Sequence, residues 1–364
     1  MFKGHGGYRE HTNVHTKNAV LDFSANINPL GYPEGVHKTV FENFDDILHY
    51  PDIDCYSLKK YIARKIAHSA NEIVVGNGST ELFYLAPRAL KPVKGIILQP
   101  SFSEFPEALK CSGTEVVPYA LNDEDDFSFH YNKNYFQDEK AGMLFLCNPN
   151  NPTGLLIEKR TLLAMIQQHS NVMFVVDEAF MDFVDEPERY TVINEAGTLE
   201  NLIVVRSLTK FYGFPGLRIG YLVAHANVAE KLLEYKEPWT VNTFAQYAAM
   251  VSMEDDAFIA ASKEFIRNER VFLYEELSNI RGLIPYKPAA NFVFVKINAE
   301  GINSVFLSKW MLEQGIAIRD CSNFAGLNDE YFRIAVRTRE ENTKLINVFK
   351  KVLSSRVCNP MSLS

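Results

Sequence analysis

Lys210 lies in Ser207-Leu208-Thr209-Lys210, directly after the apolar run 202–205. A lysine at the buried end of a strand carries a charge that burial opposes, so its pKa falls. The neutral amine can then attack an aldehyde and form a Schiff base. Taken alone, the same residue reads as readily as a surface lysine. Asp177 closes the run 172–176. A carboxylate there is partly desolvated and calls for a cationic partner, such as a pyridinium N–H; capping a helix is its other reading. Gly76-Asn77-Gly78-Ser79-Thr80-Glu81 follows Ile73-Val74-Val75 and opens a helical stretch. Small residues, two hydroxyls and a helix N-terminus suit a phosphate, or simply a capped turn. The string lacks the GK[ST] of a P-loop and the third glycine of a dinucleotide fingerprint. Asn148-Pro149-Asn150-Asn151-Pro152-Thr153-Gly154 holds asparagine amides beside rigid prolines, which aims fixed donors at an oxygen. Arg218, Arg319, Arg333 and Arg337 stand in or beside apolar stretches. Alternation along 331–337 sets Arg333 and Arg337 on one strand face, and inward guanidinium groups suit carboxylates and phosphates. An outward ion pair is the equal alternative for Arg337.

These segments need a scaffold. Between residues 73 and 223, apolar runs at 95–98, 143–147, 172–176, 202–205 and 219–223 alternate with helical stretches. Continuous apolar runs are strands buried on both faces, so the pattern predicts a parallel sheet flanked by helices. Several runs end in a polar or Gly/Pro cluster, at the carboxyl ends where open α/β sheets bind ligands. Beyond Trp239 the texture changes: one long helix over 245–277, strands at 291–295 and 331–336, and a helix at 303–314 between them. The reading is a large domain at 40–238, with 1–39 and 239–364 forming a smaller α+β domain.

The 364 residues leave room for two domains of about 100–200 residues each. Hydrophobic residues are 47% and charged residues 23%, a balance that argues against a disordered or fibrous chain. Lys and Arg number 37 against 45 Asp and Glu, a net charge of −8. That disfavours a general nucleic-acid or anionic-membrane binder, while inward arginines still permit anionic substrates. No apolar run approaches the roughly 18–20 residues that span a bilayer, and residues 1–10 lack the apolar core of a signal peptide. Five scattered cysteines, Cys55, Cys111, Cys147, Cys321 and Cys358, show no CxxC or Cys/His spacing. A reduced, cytoplasmic setting without a structural metal is expected.

Taken together, the segments resemble the fold-type I pyridoxal-phosphate (PLP) enzymes, in the branch that holds histidinol-phosphate aminotransferase and threonine-phosphate decarboxylase. The matches come in the family's order over nearly the whole chain: Asn26-Ile27-Asn28-Pro29, Tyr50-Pro51-Asp52, 76–81, Pro100-Ser101-Phe102, 148–154, Asp177-Glu178-Ala179-Phe180, 207–210 and Arg218. The resemblance implies a large domain with a mostly parallel seven-stranded sheet, a smaller α+β domain and PLP as cofactor. It makes Lys210 the Schiff-base lysine and Asp177 the partner of the ring nitrogen. Asn151 would bond the ring oxygen and Phe102 would stack on the ring. Gly78, Ser79, Thr80, Ser207 and Arg218 would hold the phosphate, joined by Tyr50 from the other subunit of a homodimer.

Three features resemble the decarboxylase side of that branch. His5-Gly6-Gly7 with Arg9-Glu10 is similar to its opening, Phe180 stands where aminotransferases usually carry tyrosine, and 318–327 is similar to its phosphate-binding segment. The resemblance implies that His5, Asn26, Asn151, Arg319 and Arg333 bind substrate. The expected reaction is decarboxylation of threonine phosphate, or of serine phosphate, for the linker of cobalamin synthesis. A histidinol-phosphate-type aminotransferase is the alternative, since it shares every cofactor motif.

Overall fold

The computed structural model describes residues 6–8, 20–131 and 141–357. In chain order its strands are β1 (Leu21–Asp22), β2 (Ile73–Gly76), β3 (Lys94–Gln99), β4 (Glu115–Ala120), β5 (Ala141–Cys147), β6 (Met173–Asp177), β7 (Leu202–Ser207), β8 (Gly220–Ala224), β9 (Leu283–Pro285), β10 (Phe292–Ile297), β11 (Ile316–Ala317), β12 (Arg319–Asp320) and β13 (Tyr331–Ala335). The helices are α1 (Glu34–Glu42), α2 (Tyr56–Ile66), α3 (Gly78–Leu90), α4 (Glu104–Cys111), α5 (Lys159–Gln168), α6 (Leu208–Phe211), α7 (Ala226–Leu233), α8 (Thr243–Glu254), α9 (Asp256–Ser278), α10 (Ser304–Glu313) and α11 (Arg339–Val357).

The larger sheet has seven strands in the order β2-β8-β7-β6-β5-β3-β4. Its central strands are apolar and buried because helices cover both faces. Met143, Phe145, Val175, Ile203 and Val205 pack on one face with Leu82 and Phe83 of α3 and Phe105 of α4. Leu144, Leu146, Phe174, Val176 and Val204 pack on the other with Leu162 and Ile166 of α5. Strands β4, β3, β5, β6 and β7 run parallel. The carboxyl ends of β5, β6 and β7 therefore meet along one edge.

Two expectations change. The run at 219–223 becomes β8, which pairs antiparallel with both β7 and β2. The link from β7 holds only the single turn of α6 and a tight 3₁₀ turn at Pro215–Leu217, too little for a crossover back to a parallel start. The single long helix at 245–277 is two helices, α8 and α9. Asp255 breaks it by accepting a hydrogen bond from the Phe258 N–H at 2.9 Å, a helix N-cap in mid-pattern.

The smaller sheet is antiparallel, in the order β12-β13-β10-β9. The segment near the N-terminus joins it. Strand β1 pairs parallel with β11, and the Ala335 N–H donates to the Phe23 carbonyl at 2.8 Å. No helix among the described residues is long and apolar enough to cross a membrane.

Candidate active site

A pocket of about 230 Å³ opens beyond the carboxyl ends of β6 and β7, where the smaller sheet and the 24–27 segment face them. Lys210 lines it from α6, one turn past β7. Burial lowers the Lys210 pKa to about 8, helped by the Arg218 and Arg333 charges and opposed by Asp177. At pH 7 such an amine is neutral in ~10% of molecules, against well under 1% for an ordinary lysine.

Asp177 ends β6 in the same pocket. Burial pushes its carboxyl up to about 6, against the Ala179 N–H, the Cys147 thiol and the Lys210 charge. Its Oδ1 accepts from the Ala179 N–H at 2.9 Å. Its neighbour Glu178 points elsewhere: it is buried against Arg206 at 2.8 Å, with Thr191 donating to it. That pair fastens the segment after β6 to β7. The sequence string holding both acids does not tell which faces the pocket; strand alternation does.

One corner gathers groups of the kind that suit an anion. Ser79 and Thr80 at the start of α3, Ser207 and Thr209 around α6, and Arg218 all line it. Gly78 has φ +75°, and a Cβ there would lie 2.3 Å from the Arg218 guanidinium. Glycine is thus required both for the turn and for the approach of Arg218. The α3 N-terminus adds free N–H groups and a positive dipole end to the same corner. Phe102 forms a wall, held edge-on by Phe83 and Phe105 at 6.3 and 5.6 Å between centroids.

The smaller sheet contributes cations. Arg319 on β12 and Arg333 on β13 are direct cross-strand partners, and both line the pocket. Like charges in that register repel; an anion between them relieves the repulsion. The Arg319 guanidinium donates to Asn323 Oδ1 at 2.8 Å and lies over the Phe324 ring at 4.9 Å. Arg333 donates to Asn151 Oδ1 and, at 2.9 Å, to the Ser24 carbonyl. Burial, with the Arg319 charge adding, lowers Arg333 to about 10. Asn26 also lines the pocket, and its buried Oδ1 has no hydrogen-bond partner among the described residues. Phe180 packs edge-on against Phe292 at 5.1 Å, so no phenolic donor stands at that edge.

Three expected residues fall outside this constellation. Arg337 does not share the face of Arg333, because β13 stops at Ala335. It donates to the Asp22 carbonyl at 3.0 Å and pairs with Glu341 at 2.8 Å. Tyr50 is 84% exposed and lies tilted against Trp239, with ring centroids 5.3 Å apart, outside the lining of this chain's own pocket. His5 lies outside the described residues, although Gly6 lines the pocket and the Gly7 N–H donates to Ser24 Oγ at 2.9 Å. Sequence reasoning missed Ser24, Thr209 and Phe324 as lining residues. Thr209 sits inside the quoted Lys210 string, while Ser24 arrives only through the pairing of β1 with β11.

The aminotransferase class I and II family model matches residues 18–349. Threonine-phosphate decarboxylase of Salmonella typhimurium is 36% identical over 338 residues, 92% of this chain and 92% of that protein. Histidinol-phosphate aminotransferase of Clostridium acetobutylicum superposes with a TM-score of 0.86 at 31% identity, covering 92% of this chain and all of that one. L-threonine-O-3-phosphate decarboxylase of Porphyromonas gingivalis does so at 0.83 and 28%, with 92% and 100% covered. A match of that length over a fold of that topology has one meaning: the chain belongs to the aminotransferase class I and II family.

Proposed function

We propose that the chain is a PLP-dependent decarboxylase. It would convert L-threonine O-3-phosphate to (R)-1-aminopropan-2-yl phosphate and CO₂, supplying the linker for cobalamin synthesis. The observation that carries this reading is the Arg319–Arg333 cross-strand pair facing Lys210. Two guanidinium forks suit a substrate with an anion at each end. The decarboxylase relatives support the choice of phosphate and carboxylate as those ends.

The residues present fit PLP. The Gly78–Arg218 corner suits its phosphate, and buried Asp177 suits a ring N–H. Phe102 offers a face for the ring, Asn151 an amide for the ring oxygen, and Lys210 an amine for the aldehyde. When bound, the cofactor supplies an electron sink for the bond broken at the substrate Cα. The protein does the rest. Asp177 would set its negative charge beside the ring nitrogen and so stabilise positive charge there, an electrostatic term worth several kcal/mol. Lys210 moves protons at Cα. Arg319, with His5 and Asn26, holds the phosphate end, and Arg333 with Asn151 holds the carboxylate end. By fixing both ends of the substrate, these anchors would set which bond at Cα is presented for cleavage, and so choose between loss of CO₂ and loss of a proton. The large unit at 40–238 carries the cofactor groups in this reading, and 1–39 with 239–364 carries the substrate arginines.

The test is purified protein incubated separately with threonine phosphate and serine phosphate, following CO₂ and the amine. Histidinol phosphate with 2-oxoglutarate runs in parallel. Release of CO₂ without an oxoacid supports the reading and ranks the two substrates. Glutamate formation without CO₂ replaces it with the aminotransferase. In the same assay Arg319→Met is expected to raise KM roughly 10–100-fold, the scale of a charged hydrogen bond, with kcat changed less. Arg337→Met is the control and should leave KM unchanged, because that side chain is occupied by Glu341 and Asp22.

The reading includes a cytoplasmic homodimer. Phe41, Phe44, Ile47, Leu48 and Tyr50 are each more than half exposed within ten residues of chain, and a patch of that kind marks an interface. A second copy covering it would bring Tyr50 toward the partner's pocket. Sedimentation of the Phe41→Asp/Leu48→Asp variant should show a monomer with weakened PLP retention. A wild-type protein sedimenting as a monomer would sink the shared-site arrangement.

A further inference from the structure

Cys147 ends β5, and its register partner on β6 is Asp177. Both side chains are buried. The Cys147 Sγ lies 3.4 Å from Asp177 Oδ2 and donates to it. The sulfur in turn accepts from Ser101 Oγ, which donates to Sγ at 3.7 Å. The thiol proton is directed toward the carboxylate. Burial and the Asp177 charge push the Cys147 pKa well up, so the group stays a protonated donor rather than becoming a nucleophile.

We infer that Cys147 is a positioning residue: its thiol locks the second oxygen of Asp177, and its sulfur is held in turn by the Ser101 hydroxyl. Asp177 Oδ1 is held by the Ala179 N–H at 2.9 Å and Oδ2 by Cys147. Both oxygens are thus fixed from behind, and the carboxylate is left one orientation toward the pocket. A hydrogen bond to the charged form also favours that form, so the thiol holds the Asp177 pKa down against the rise that burial imposes. The other groups facing Asp177 are Lys210 from α6 and Glu178, the latter neutralised by Arg206. This inference rests on reading Asp177 as the partner of the ring nitrogen.

The test compares wild type, Cys147→Ala and Cys147→Ser. The infrared S–H band of Cys147, isolated as the wild-type minus Cys147→Ala difference, should lie below that of a free thiol. It should move up in Asp177→Ala. Cys147→Ala should lower kcat about 10-fold, the scale of a hydrogen bond to a charged group, with KM within ~2-fold. In PLP titrations of the stripped full-length protein, the acid-side loss of binding should move to higher pH. Cys147→Ser, a shorter but competent donor, should recover kcat to within ~3-fold of wild type. A free-thiol S–H frequency in wild type overturns the inference. So does an alanine variant with unchanged kcat and an unchanged pH profile of PLP binding. The infrared band and the PLP titration need no substrate, so they decide this point even where the substrate assignment fails.

Discussion

Lys210→Ala is expected to lose turnover by at least ~10³-fold on every phosphorylated amino acid tried, the upper range for removing a positioned proton-transfer group. The same protein should lose the yellow colour that borohydride bleaches, since no other lysine lines the pocket among the described residues. Lys210 is suited to its task by place rather than by type. Burial and two guanidinium groups hold its pKa near 8, so neutral amine is available at physiological pH. Lys210→Arg should fail equally, because a guanidinium is never neutral in water. An alanine variant that retained a sizeable fraction of wild-type CO₂ release would end the PLP scheme for this pocket.

Asp177→Asn is expected to lower kcat by ~10²–10³, the loss seen when one preorganised electrostatic partner is removed. Its effect on the cofactor-free protein should have the opposite sign. The fold pushes the Asp177 carboxyl up to about 6, chiefly by burial, whereas the unfolded chain releases that proton near pH 4. Below pH ~4 both states are protonated and the group favours neither. Between about 4 and 6 the folded state binds more protons, so stability falls as pH rises. Above about 6 the destabilisation is complete, at about 3 kcal/mol for a shift of this size. Asparagine keeps an acceptor for the Ala179 N–H without the charge. The variant should therefore be about 1–3 kcal/mol more stable than wild type above pH 6, a gain that vanishes below pH 4. Urea unfolding across that range reads it. A variant less stable than wild type at pH 7.5 would mean that the Ala179 and Cys147 hydrogen bonds and the Lys210 charge already outweigh the burial of Asp177 in the cofactor-free fold. A site that destabilises its own scaffold is what a carboxylate awaiting a cationic ligand should do.

Five strands of the larger sheet, β3 and β5 to β8, were legible because apolar runs buried on both faces leave a one-dimensional signature; half-exposed β4 leaves none, and the count of seven came only with the family resemblance. Lys210, Asp177, Asn151, Phe102 and the 78–80 turn sit at the ends of those runs, so strand order alone brings them together. Connection geometry was not legible. The antiparallel β8 and the break at Asp255 depend on how far a short link or a cap can turn the chain, which hydrophobic period does not encode. The arginines show the same division. Their types announced anionic ligands, yet sequence alternation paired Arg333 with Arg337. The true neighbour of Arg333 is Arg319, fourteen residues earlier and across a strand pair. Charge and burial pattern are local properties that residue order states outright. Which two guanidinium groups stand side by side, and which thiol stands behind which carboxylate, are facts of strand register, which exists only once the sheets have formed.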